Sequence, residues 1–417
     1  MLRHFQRFIT PNAKKSAVFY VGSFVSNIFN YLFHLMLLRL LAPEAYGEFL
    51  SYISFLYLIT IPAETVSTLV TKYIASYRGR HDQTSIKRFF YLMLYRVVIP
   101  SAVLSLVIIL ASGFLASTFK AHPAAFVVLG VNIILTFFSA IVGSYLLAFQ
   151  GYIFNVVASL IGIILKIAIA YGLVSRGSGA LGGVIATFIS GMVTAGIIFF
   201  KIKPAVYPNA KGHPKLDIKI SQFFTYSFIL SAGSLSLISS DVLLVRYFFP
   251  EHASGIYSAL SVLARMIYFG LAPLSMLMIP IVASRFSAGI KTKEVLYKLS
   301  IAMLILGGIG TTIFWSAPDL VVRLLSGQQY QAVGSLLGVA TLAMMLFSLS
   351  RLILLYFMSV GHQRANLFLL AALVAQPVLI FLFHQSLSQI IHINLIIQFC
   401  LLTSLLLYYR IALKQVI

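Results

Sequence analysis

The sequence predicts an all-α integral membrane protein of about twelve transmembrane helices, and three observations carry that fold class: the composition, the length of the apolar runs and the placement of the basic residues. Of the 417 residues 60% are hydrophobic and only 9% charged, and mean hydropathy reaches +0.99. A soluble chain of this size would leave much of that apolar surface in water. In lipid the backbone must satisfy its own hydrogen bonds, which leaves helices or closed barrels, and barrel strands alternate over about 10 residues. Here the apolar runs are unalternated, and each approaches the roughly 20 residues that cross a hydrocarbon core.

In chain order the predicted spans are 17–41, 49–74, 89–117, 124–149, 152–174 and 179–200. The second half repeats the count with 223–249, 255–282, 295–315, 332–358, 366–383 and 390–409. Residues 1–200 thus form an N-terminal six-helix bundle and 220–417 a C-terminal one. Between them lies a basic linker, 201–219, holding Lys201, Lys203, Lys211, Lys215 and Lys219 with Pro204, Pro208 and Pro214. An even number of spans puts both termini on one side. Basic residues mark that side as cytoplasmic, because Arg3, Arg7, Lys14 and Lys15, the loop from Lys72 to Arg88, the linker, the loop from Arg285 to Lys298, Arg364, Arg410 and Lys414 all fall there. The first apolar run is too long for a signal peptide and is expected to be retained as the first helix.

The net charge of +21 is spread over short loops between apolar helices, so it reads as topology and attraction to anionic membrane lipids rather than a nucleic-acid surface. The single Cys400 leaves no internal disulfide and no paired-cysteine metal site. Gly177-Ser178-Gly179-Ala180-Leu181-Gly182 fits a dinucleotide fingerprint, but no strand precedes it, and no phosphate-binding loop with its Lys occurs anywhere. No cofactor is expected, and the chain does not read as an enzyme.

A repeat organises the halves. Arg39, Pro43, Glu44 and Gly47 close the first span, and Arg246, Pro250, Glu251 and Gly255 close the seventh, with the same offset from Arg to Pro-Glu and one residue inserted before the glycine. Gln150-Gly151-Tyr152 and Gly361-His362-Gln363 echo each other after the fourth and tenth spans. Helix direction is preserved, so the repeats are parallel, as in transporters built of two six-helix halves. Pro ends each helix, Gly turns the chain and Arg reaches the outer interface.

The stretch from Leu38 to Phe49, Leu-Arg-Leu-Leu-Ala-Pro-Glu-Ala-Tyr-Gly-Glu-Phe, resembles the hallmark of Wzx-type polysaccharide flippases of the MOP exporter superfamily. Asp241 to Phe248 and Ala317 to Gly327 are similar to further segments of that family, although Gln328 and Gln329 stand where an acidic loop residue is common. The resemblance implies a MOP/MATE-like fold working by alternating access in a bacterial or archaeal cytoplasmic membrane. It also implies a cargo, an oligosaccharide linked to an undecaprenyl-type diphosphate, and a partnership with glycosyltransferase and glycan-polymerase machinery.

Charged side chains in the spans suit such a cargo. Arg96, Lys166, Arg265 and Arg351 fall inside predicted helices, against only Glu64 and Asp241 at comparable depth, so a central cavity would be cationic. Guanidinium forks match phosphate oxygens. The rival for each cation is a structural pair with Glu64 or Asp241. Ser23, Asn27, Asn30 and His34 share one face of the first helix, and Ser227, Ser231 and Ser234 one face of the seventh, with Asp241 near the same line. Asn27, Asn30 and Ser234 are therefore substrate candidates, while small polar residues also hold membrane helices together. Glu64, Asp241 and His34 are candidates for coupling to protons or sodium, the alternative being the membrane potential acting on the anionic cargo. Two other functions stay in view: a small-molecule or multidrug exporter of the same superfamily, and a membrane-embedded glycan polymerase or acyltransferase, for which the outer loops are short.

Overall fold

The computed structural model describes residues 11–206, 219–287 and 289–412, and these are helical almost throughout. The helices run α1 Pro11–Leu40, α2 Pro43–Ile59, α3 Ile61–Gly79, α4 Gln83–Leu110, α5 Ser112–Thr118, α6 Pro123–Ala148, α7 Tyr152–Val174 and α8 Gly179–Val206. They continue with α9 Lys219–Leu237, α10 Ser240–Phe248, α11 Glu251–Ser287, α12 Lys293–Ser316, α13 Pro318–Leu325, α14 Gly334–Ser359, α15 Asn366–Leu382 and α16 Leu387–Ala412. Short 3-10 turns occupy Gln328–Val333 and Gln363–Ala365. Among the described residues ten helices are long and apolar enough to cross a membrane, or twelve when each of two bent pairs counts as one span. Arg3, Arg7, Lys211, Lys215, Lys414, Pro208 and Pro214 lie outside the described residues.

Local chemistry sets the helix ends. Proline opens α6 and α13, where its missing N–H costs nothing. Asp82 caps α4 by accepting the Ser85 N–H at 2.9 Å, and its hydrogen bonds from Ser85 hold the carboxyl below the usual carboxylate range.

Two predicted spans differ from single helices. The second is α2 followed by α3, bent by 48° at Thr60, with Pro62 in the first turn of α3. The seventh is α9 followed by α10, bent by 41° at a serine-rich break. The third ends earlier than predicted, at Leu110, and its remainder is the separate short α5.

The described chain clusters into two compact units, one comprising residues up to Leu37 with Ile59–Phe228, the other Leu38–Leu58 with Ile229 onward. In the first, α6 is the hub, packing on α3, α4 and α8. Its apolar core joins Val70 and Ile74 of α3, Phe89 and Phe90 of α4, Ile141 and Tyr145 of α6, and Ile198 of α8. In the second, α14 is the hub, packing on α11, α12 and α16. α14 is buried along most of its length, which explains why its sequence is apolar all round rather than on one stripe. The hub is the fourth span of one half and the tenth of the other, so the parallel repeat extends from motifs to packing.

Candidate functional site

The break between α9 and α10 builds the most polar interior site. Ser236, Ser239 and Ser240 crowd the break, where serine hydroxyls compete with the helix ladder, and Ser240 Oγ turns back to Ser236 O at 2.8 Å. Asp241 follows in the first turn of α10, so its carboxylate stands at a helix N-terminus inside the span. The residue is only 3% exposed, and its carboxylate accepts three hydrogen bonds. Its Oδ1 accepts the Val242 N–H at 2.8 Å, and its Oδ2 accepts the Tyr257 hydroxyl at 2.6 Å and the Asn394 amide at 3.1 Å.

Behind this shell, Gln376 of α15 donates to Asn394 Oδ1 at 2.8 Å and to Leu237 O at 3.2 Å, and accepts from Ser240 Oγ at 3.0 Å. The Leu237 carbonyl is one of the groups freed by the break, so Gln376 repairs the backbone while it orients Asn394. Arg265 of α11, equally buried, approaches Asp241 Oδ1 with Nη2 at 3.8 Å, near enough for an ion pair and too far for a hydrogen bond. A cavity of about 20 Å³ lies against Asp241, Tyr257, Ser261 and Asn394, room for one water or one small cation. The arrangement gives one carboxylate, one neighbouring guanidinium, and a neutral polar shell able to follow a change in the carboxylate's occupancy.

The other predicted residues are distributed. In the first unit Lys166 Nζ, on α7, donates to Asn30 Oδ1 of α1 at 2.5 Å and lies 4.3 Å from the centre of the Phe33 ring. His34 packs edge-on against the same ring, at 5.4 Å between centroids, and Asn27 is half-buried two turns earlier. Arg96 on α4 and Glu64 on α3 are exposed side chains. In the second unit Arg351 of α14 is half-buried with its guanidinium 5.4 Å from the Tyr268 ring centre, and Ser234 is buried in α9.

The two copies of the repeat motif meet within the second unit. His252 Nδ1 pairs with Glu44 at 2.6 Å, and buried Arg246 reaches Glu251 at 3.5 Å. Gly255 lies against the backbone of Pro43, and Gly47 against Gly255. Tyr330 and Gln329 bond the end of α1, the latter to Leu38 O at 2.8 Å and Leu41 O at 3.0 Å.

Gln376 and Asn394 were not singled out in the sequence, although the signal existed: an amide inside each of two very apolar helices is costly unless it has partners. Gln398, one turn beyond Asn394 and fully buried, has neither amide atom hydrogen-bonded among the described residues. Among the described residues no group of three or more His, Cys, Asp or Glu side chains is placed to hold a metal ion.

No family model and no curated protein matches the sequence. Solved structures do. An inward-facing multidrug resistance MATE family transporter of the MOP superfamily superposes with a TM-score of 0.77 at 13% identity, over 94% of this chain and 95% of the other. The lipid II flippase MurJ, in an inward closed conformation, gives 0.69 at 15% identity over 94% and 87%. A eukaryotic MATE transporter gives 0.67 at 15% over 96% of both chains. The chain therefore shares its fold with these MATE transporters and with MurJ.

Proposed function

We propose that this protein is a flippase that moves an undecaprenyl-diphosphate-linked oligosaccharide from the cytoplasmic to the outer leaflet by alternating access, its membrane cations receiving the diphosphate and Asp241 coupling the cycle to protons or sodium. The observation that carries the reading is Lys166. Its ammonium lies well inside α7, held by a neutral amide and an aromatic face, with no carboxylate paired to it among the described residues. A charge at bilayer depth costs at least about 2.5–3.5 kcal/mol, and a partner that neutralises it only during transport is an anion in transit. Two of the three ammonium N–H groups remain for that anion once Asn30 takes one.

Asp241 supports the coupling role, because its buried carboxylate adjoins a cavity sized for one small occupant and its helix is broken there. The fold likeness to MATE transporters favours a second reading, export of small cationic molecules, against which Lys166 acts as a like charge.

The test is a leaflet assay in proteoliposomes with a fluorescent lipid-diphosphate sugar. Wild type is expected to translocate it, and Lys166→Met to slow translocation about tenfold or more, the loss of a charge-assisted hydrogen bond worth ~1.5–3 kcal/mol, at unchanged protein level. Undiminished translocation in Lys166→Met removes the proposed role of that cation. Uptake of a cationic dye with no movement of the lipid overturns the flippase reading in favour of the multidrug one.

A further inference from the structure

A second polar feature belongs to neither the Asp241 network nor the Lys166 cluster. At the end of α1 far from its N-terminus, an open basin of about 530 Å³ is lined by Arg39, Arg323, Ser326, Gly327, Gln328 and Gln329. Its volume falls in the range of small-molecule sites. Its walls are fixed by local bonds. Gly327, with φ +99°, reverses the chain after α13, a conformation that side-chain-bearing residues rarely adopt. Ser326 Oγ donates to Val322 O at 2.9 Å, and Gln329 spends its amide on Leu38 O and Leu41 O, at 2.8 and 3.0 Å.

The two arginines are the unexplained part. Arg39 donates to Leu324 O, a sensible cap on the last turn of α13, which uses one of its five N–H groups. Arg323 forms no hydrogen bond or ion pair among the described residues, and its guanidinium is exposed on the same basin. No carboxylate lines the basin. Snorkelling accounts for a single arginine at a helix end. It does not account for two that line one concavity with no carboxylate in its wall.

We infer that the basin is an anion site for a phosphate-type oxyanion, bridged by the Arg39 and Arg323 guanidinium groups. Paired guanidinium forks present several N–H donors to a tetrahedral oxyanion, the geometry at which Arg surpasses Lys. The site lies at the opposite end of α1 from its N-terminus, so a lipid phosphate at the membrane surface and a dissolved phosphate both have access to it. The inference stands whatever the cargo, since none of its residues takes part in the transport reading.

The experiment uses the full chain in nanodiscs and titrates inorganic pyrophosphate by calorimetry. It is run in wild type and in Lys166→Met, which removes the phosphate contact that carries the transport reading. Pyrophosphate is expected to bind both proteins in phosphatidylcholine discs, and Arg323→Gln to weaken binding at least tenfold in the Lys166→Met background while melting temperature is unchanged, because no bond within the protein is lost. Raising the salt concentration is expected to weaken binding. If phosphatidylglycerol discs suppress pyrophosphate binding, the occupant is a lipid headgroup; equal binding in both lipids makes it a soluble anion. Equal affinity with and without Arg323, or no binding to Lys166→Met in phosphatidylcholine, overturns the inference. Failure of Lys166→Met to impair flipping leaves it untouched.

Discussion

Gly255→Ala is expected to destabilise the protein more than any other single methyl addition to α11. A Cβ at this position would stand 1.9 Å from Pro43 O and 2.2 Å from Pro43 C. Both are backbone atoms at the start of α2, so no side chain can turn aside to make room. Gly47 faces the same contact from the other side, its added Cβ falling 2.8 Å from Gly255 Cα and N. Overpacking a fitted contact costs about 1–3 kcal/mol where side chains yield, and more where two backbones must part. The measurement is the melting temperature of detergent-solubilised protein, with Gly270→Ala as control. Gly270 lies on the same helix with nothing within 4 Å of its added Cβ, and Ala is the better helix former by up to about 1 kcal/mol. Gly255→Ala should melt several degrees lower than Gly270→Ala. Equal melting of the two would mean that the contact between the motif copies is loose enough to admit a methyl group.

That contact shows why the repeat was legible and its purpose was not. Arg39-x3-Pro43-Glu44 and Arg246-x3-Pro250-Glu251 are visible as text, because Pro and Gly mark helix ends wherever they occur. That the two copies touch each other, with Gly255 on Pro43, is a tertiary fact that no spacing along the chain encodes. Likewise the twelve apolar runs gave the spans nearly to the residue for Tyr152–Val174, where turn residues flank a uniform run. The first break is marked in the sequence by Pro62, since a proline inside an apolar run kinks the helix. The break at Ser239 escaped, because a bent span is as apolar as a straight one.

The candidate site was half legible. Asp241, Arg265 and Lys166 stood out because charge in an apolar run is rare and costly. Which of them would meet was not readable, since Asp241 and Arg265 belong to different helices and their approach depends on how α10 and α11 pack. Gln376 and Asn394 were overlooked for a different reason: they carry no charge, yet buried they must find partners, and they found each other and the carboxylate.

The Asp241–Arg265 geometry yields the second large effect. Asp241→Asn is expected to lower stability by about 3–5 kcal/mol, the cost of leaving a buried charge without its partner. The substitution removes the charge facing Arg265 and also sets an amide NH₂ among donors: the Val242 N–H, the Tyr257 hydroxyl and the Asn394 amide all give hydrogen bonds to the carboxylate in the wild type. Arg265→Gln alone removes the cation and leaves the carboxylate its three hydrogen bonds, so it should cost less. In the double variant both charges are gone, and melting is expected to recover part of the loss, giving a coupling energy of about 1–3 kcal/mol in a double-mutant cycle. Strict additivity would show that 3.8 Å is too great a separation for the pair to matter. The same double variant separates structure from coupling. If Asp241 serves only to hold α10 against α11, the refolded double variant transports with the wild-type dependence on pH and sodium. If its carboxylate is the coupling group, the double variant is folded yet its transport no longer responds to either gradient, because the cavity beside Tyr257 and Asn394 has lost the one group there able to bind a proton or cation strongly.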